Sequence, residues 1–163
     1  MKNTLWIAFM LFLVVVVANI YFLDKYPFLC PITYQGDYVI RSDGRGEGSF
    51  AARRGGGRRM HNGIDLYSDI GTPVLAARSG LVITAKSQKG MGTFVVIRHD
   101  TQLTTIYGHL SAMYVRKGQI VRQGDSIGAV GKTGNANYRD ILPHLHFEVR
   151  KDGIPQDPME FLE

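Results

Sequence analysis

The residues that could do chemistry are few and come in a pattern. Five histidines are present: His61, His99, His109, His144 and His146. In "HNGID" an imidazole, His61, and a carboxylate, Asp65, lie four residues apart. In "PHLHFE" His144 and His146 are followed by Glu148, and "YGHL" supplies His109. Imidazole nitrogen and carboxylate oxygen are common zinc ligands, and a catalytic zinc site uses three protein ligands plus water. No HExxH occurs, so a helix-borne zinc-protease motif is excluded. Any metal here is held by strands and loops. Two imidazoles at alternate strand positions would crowd one ion, so one ligand and one neighbour acting on its water is the economical arrangement. Singly, HxxxD and HxH are patterns that chance also produces. His99, ahead of a turn, pairs with no such motif and is expected to be structural, buried with a hydrogen bond to backbone.

These groups have to be carried by short elements. From Gly63 onward, runs rich in Val, Ile, Thr and aromatics alternate with glycine. Strands are expected at 63–67, 73–77, 80–86, 93–99, 103–109, 119–121, 126–130 and 144–150, with "HDTQ" at 99–102 as a hairpin connection. No stretch after residue 24 has a sustained 3.6-residue period. "DPMEFLE" can make one helical turn, with Pro158 at its start. In a strand, His144, His146 and Glu148 share one face, while Leu145, Phe147 and Val149 share the other. The first face would floor a site and the second would pack a core. The same alternation puts Tyr107 on the face of His109, as a substrate contact or a packed core tyrosine. The fold class is mostly β, a small antiparallel sheet or sandwich.

The motifs also come in a familiar order. "MHNGIDL", "GTPVLAARSGLV", "VVIRHD", "TIYGHLS", "VRKGQIVRQGDSIGAVGKTG" and "PHLHFEV" resemble a lysostaphin-type (LytM-like) zinc metallopeptidase of the M23 class, from about Phe50 to Pro158. The resemblance implies a zinc-dependent endopeptidase acting on peptides of bacterial peptidoglycan. It implies that His61, Asp65 and His146 are zinc ligands, and that His109 and His144 are catalytic partners lining the site. Glu148 is then a candidate to hydrogen-bond a ligand imidazole, or to form an ion pair at the strand end. All five family positions are filled. Three features depart from the pattern. Ala51 stands where the family has glycine after phenylalanine, which a positive φ would disfavour. The longer "NANYRDILP" (135–143) replaces a Ser/Thr-Gly-Pro run beside the site. No separate wall-binding module follows. Degenerate relatives only regulate other wall hydrolases, which is the rival reading. A more distant rival, suggested by "GQIVRQGDSIGAVG", is a biotinyl/lipoyl-like carrier module.

The chain has 163 residues, 45% hydrophobic, with net charge +5 and one cysteine. That length suits one domain plus an appendage. No charge interrupts Thr4 to Leu23, so residues 1–23 are expected to be an N-terminal transmembrane helix, uncleaved rather than a signal peptide. Residues 24–47 then form a juxtamembrane segment and 48–163 the peptidase domain. Lys2 on the short side puts the bulk of the chain across a bacterial inner membrane, in the periplasm or at the cell surface. Residues 41–59, with six Arg and six Gly, are expected to be a solvated basic loop or a rim that attracts an anionic polymer. An exported domain makes nucleic acid an improbable partner. Lone Cys30 cannot form an intrachain disulfide.

Overall fold

The computed structural model describes residues 2–21, 24 and 27–162, with side chains described for 4–15, 24 and 27–162. A helix, α1 (Lys2–Tyr21), precedes a succession of strands. These are β1 (Ser42–Asp43), β2 (Gly46–Glu47), β3 (Arg53–Arg54), β4 (Arg59–Met60), β5 (Ile64–Tyr67), β6 (Pro73–Leu75) and β7 (Gly80–Gln88). After them come β8 (Gly92–Arg98), β9 (Leu103–Leu110), β10 (Ala112–Met113), β11 (Ile120–Val121), β12 (Ser126–Ala129), β13 (His144–Lys151) and β14 (Ile154–Gln156). A 3-10 turn at Pro158–Glu160 closes the chain, with the Asp157 carboxylate accepting from the Met159 N–H at 3.0 Å.

Every strand pairing is antiparallel. The principal sheet runs β11-β7-β8-β9-β13, and the far edge of β13 is shared between β5 over its first half and β14 over its second. A smaller sheet, β10-β12-β6, contributes Val74 and Ile127 to the same core as Ile97, Tyr107, Leu145, Phe147 and Val149 of the principal sheet. All of these side chains are fully buried. The hairpin at 99–102 forms as its sequence suggests, with Asp100 Oδ1 accepting from the N–H groups of Gln102 and Leu103.

Two differences from the sequence expectations concern the N-terminal third. Residues 28–41 are not a loose connection: Phe28 and Ile32 enter the core, and Leu29 N–H donates to Ala77 O. Nor are residues 41–59 a bare solvated loop. Arg41 is only 4% exposed, because carboxylates of Asp43 and Asp65 flank its guanidinium, and two short hairpins, β1–β2 and β3–β4, form within the stretch. Burial of a guanidinium is tolerated where such partners replace its water.

Among the described residues no helix is long and apolar enough to cross a membrane. The transmembrane span expected over residues 1–23 is therefore unsupported. Met1, Phe22 and Leu23 lie outside the described residues.

Candidate metal centre

The register of β13 assembles the site. On one edge His146 pairs with Asp65 of β5, and on the other with Gly108 of β9, next to His109. His61 stands just before β5, tied to the turn ahead of β3 by Ala51 N–H to His61 O and His61 N–H to Ala52 O. The glycine of "HNGID" has a steric reason. A Cβ on Gly63 would lie 2.2 Å from the backbone oxygen of Phe147, so only glycine lets this turn close against β13.

Three donor atoms converge. His61 Nε2 lies 3.1 Å from Asp65 Oδ1 and 3.0 Å from His146 Nδ1, and His146 Nδ1 lies 2.9 Å from Asp65 Oδ1. Ligand atoms of His61, Asp65 and His146 all fall within 4.8 Å of one another, and all three residues are buried. His109 and His144 stand beside them, ring centroids 5.0 Å apart, and His144 Nε2 reaches within 3.9 Å of Asp65 Oδ1. The five groups line one cavity of about 560 Å³.

Each ring is oriented from behind. His61 Nδ1 faces Ser49 O at 2.9 Å, His109 Nδ1 faces Thr133 O at 2.9 Å, and His144 Nδ1 faces Leu142 O at 2.7 Å. A carbonyl only accepts, so these three Nδ1 atoms carry the proton and leave each Nε2 lone pair toward the cavity. His146 is turned the other way. Its Nδ1 meets Asp65 and its Nε2 meets Glu148 Oε1 at 2.9 Å, and Arg150 Nε in turn donates to Glu148 Oε2 at 2.7 Å.

The electrostatics follow from these contacts. Burial disfavours a charged His146 ring, but hydrogen bonds to Asp65 and Glu148 outweigh it and lift the pKa to about 9. Burial pushes Asp65 up, yet the His146 and His61 rings hold its carboxyl well below the usual carboxylate range. Burial, then the neighbouring His146 and His144 rings, push His109 down to about 3. Burial also lowers His144. His109 and His144 are thus neutral around neutral pH.

The sequence-derived set meets the structure in different ways. His61, Asp65, His109, His144, His146 and Glu148 come together at the cavity. Tyr107 does not. Its side chain is fully buried against Phe147, and its hydroxyl accepts from Ala77 N–H at 2.9 Å. The reason is an irregularity. Opposite Thr93–Val95, β9 carries one extra residue, and His109 has φ 62°. This bulge breaks the alternation and sends Tyr107 and His109 to opposite sides. His99 is held by Ser79 O and Thr105 Oγ1, both at 2.8 Å.

Sequence reading did not single out Arg41 and Arg54. Arg41 NH2 and Arg54 NH2 both donate to Asp65 Oδ2 at 2.9 Å. Arg41 reaches Asp65 because residues 40–48 flank β5, with Arg41 N–H donating to Asp65 O and Asp65 N–H to Gly48 O. The one signal in the sequence was the density of arginine just before "HNGID".

Comparison with known proteins agrees with this geometry. The family model described as Peptidase family M23 matches residues 59–158. The DD-carboxypeptidase/endopeptidase Mpg of Neisseria meningitidis is 47% identical over 102 residues, 62% of this chain and 22% of that protein. A zinc-containing peptidase from Vibrio cholerae superposes with TM-score 0.67 at 33% identity, covering 83% of this chain and 39% of that one. The catalytic domain of the antimicrobial peptidase lysostaphin from Staphylococcus simulans gives TM-score 0.60 at 33% identity, covering 69% of this chain and 87% of that one. The chain spans 37% and 22% of the length of the first two curated relatives it matches.

Proposed function

Since this chain belongs to peptidase family M23, we propose that it is a zinc-dependent endopeptidase hydrolysing peptide bonds of bacterial peptidoglycan. The observation that carries this reading is the convergence of His61 Nε2, Asp65 Oδ1 and His146 Nδ1 beside two further neutral imidazoles. Two imidazoles and one carboxylate suit zinc, and the backing of each ring by a carbonyl or carboxylate is typical of metal-ligating histidine. His61, Asp65 and His146 would hold the ion. Bound there, zinc supplies Lewis acidity, polarising the scissile carbonyl and acidifying water.

The chain's own groups do the rest. Arg41 and Arg54 hold Oδ2 of Asp65, which keeps Oδ1 turned to the site. Glu148 fixes His146 through Nε2. His109 and His144 offer unprotonated Nε2 atoms on the cavity side. One takes the proton of the attacking water and returns it to the leaving amine, while its Nδ1–H stays on the backbone carbonyl and keeps the ring in place. No covalent intermediate and no organic cofactor is needed.

The same reading puts the domain outside the cytoplasmic membrane, where its substrate is. The apolar side chains of α1, Leu5 to Val15, are exposed and are offered as the segment that holds the protein at the membrane. The names of the Neisseria and Vibrio cholerae relatives, a DD-carboxypeptidase/endopeptidase and peptidoglycan DD-endopeptidases, support a wall peptide as substrate. The test is digestion of purified peptidoglycan by zinc-loaded protein, read by mass spectrometry. Loss of cross-linked fragments, with a new amine and carboxylate at one bond, is expected. Intact cross-links with stoichiometric zinc present would contradict the reading.

A further inference from the structure

Besides its metal-binding groups, the cavity is walled by four guanidiniums: Arg41, Arg45, Arg54 and Arg59. Three are answered by carboxylates of the protein. Arg41 meets Asp43 and Asp65, Arg54 meets Asp65, and Arg45 meets Asp140 at 2.6 Å. Among the described residues Arg59 has no carboxylate within ion-pair distance. It stands directly opposite Arg54 in the β3–β4 hairpin. Like charges opposite one another repel, a cost that an anion bound beside them would offset. Arg59 also precedes His61 by two positions, and both line the cavity. The acidic groups of that cavity are already used: Asp65 by two arginines, Glu148 by His146 and Arg150. Met91, Ala136 and Ile141 add apolar surface to the same cavity, and Gln88 and Asn135 add uncharged polar groups.

We infer that Arg59 is a specificity-determining residue that binds a free carboxylate of the substrate next to the scissile amide, which rests on the peptidase reading above. A planar guanidinium without a protein partner matches a carboxylate in a two-pronged hydrogen bond. The inference narrows the substrate class. An amide between two D-configured centres leaves a free α-carboxylate on the residue that supplies the leaving amine, at a peptide terminus and at a cross-link alike. An internal glycine–glycine bond carries no such carboxylate. The substrate is therefore a peptide whose leaving-amine residue keeps a free carboxylate, D,D-linked peptides among them, and internal glycine–glycine bonds of oligoglycine bridges are not cut.

Two synthetic peptides test this: N-acetyl-Lys-D-Ala-D-Ala with a free C-terminus, and its C-terminal carboxamide. Zinc-loaded full-length protein is expected to prefer the free acid about 10- to 100-fold in kcat/KM, the range for a hydrogen-bonded charge. In Arg59→Gln the ratio between the two peptides should fall to near one, and Arg59→Lys should recover part of it. Arg59 is exposed, so neither change threatens the fold. A wild-type ratio near one, or a ratio unchanged in Arg59→Gln, overturns the assignment. If zinc-loaded protein cleaves neither peptide nor isolated peptidoglycan, the peptidase reading fails. The ratio of dissociation constants for the two peptides, measured by calorimetry on wild type and Arg59→Gln, then still decides the role of Arg59.

Discussion

The proton on His146 decides when the site accepts a metal. In the metal-free protein its ring sits between Asp65 and Glu148 with a pKa of about 9, so zinc must displace a proton from Nδ1 at neutral pH. Zinc affinity is therefore expected to rise about tenfold per pH unit from pH ~7 and to level off near pH ~9. Competition with a chelator across that range measures it, and a flat profile would count against the protonated ring. The same shift sets the stability of the metal-free protein. A pKa raised above the unfolded value of ~6.5 gives stability that is complete below that pH and lost as pH rises through about 9. His109 acts in the other direction. Held down to about 3, it gives stability present above ~6.5 and lost as pH falls toward 3. Taken together, these two groups put the maximum melting temperature of metal-free protein near pH ~6.5, which a calorimetric pH series checks. Substitution separates ligand from base. His146→Ala should abolish zinc binding. His109→Ala should keep zinc but lower kcat/KM on peptidoglycan peptides by roughly 10²- to 10⁴-fold. Full activity in His109→Ala would remove His109 from the mechanism.

At the scale of elements, two backbone positions carry more than their side chains suggest. Gly63 closes the turn between His61 and Asp65 against β13, and the atom that an added Cβ would meet is backbone. Gly63→Ala should cost roughly 1–3 kcal/mol or more and weaken zinc binding with it, since the ligand pair is displaced together. Ala51 sits at φ 58° in the turn ahead of His61. Ala51→Gly should stabilise by about 1 kcal/mol and raise the melting temperature by a few degrees, with activity retained. These elements also mark what could be read from the chain. β13 is a regular eight-residue strand, so simple alternation placed His144, His146 and Glu148 on one face and buried Leu145, Phe147 and Val149 on the other. β9 defeated the same rule, because one inserted residue at a bulge is invisible in a Val/Thr/Tyr-rich run. The two-residue strands of the arginine-glycine stretch gave no periodic signal at all. Arg41 and Arg54 became recognisable only once tertiary contacts brought them to Asp65. The apolar run at the N-terminus reads as a membrane span, which the described residues do not support.

For the whole molecule, charge and fold bear on the same encounter. The net charge is +5, and guanidiniums from three different segments wall the cavity, while peptidoglycan peptides are anionic. Exposed charges act over about 10 Å at 0.1 M salt, so kcat/KM on intact peptidoglycan should fall several-fold between ~0.05 and ~0.5 M salt. Turnover of saturating peptide should change far less. All of this depends on one ion at one place. Anomalous diffraction at the zinc edge, from crystals of the full chain, tests that most directly. The expected result is a single strong peak bonded to His61 Nε2, Asp65 Oδ1 and His146 Nδ1. Zinc at full occupancy elsewhere, or no peak between these three atoms, would contradict it.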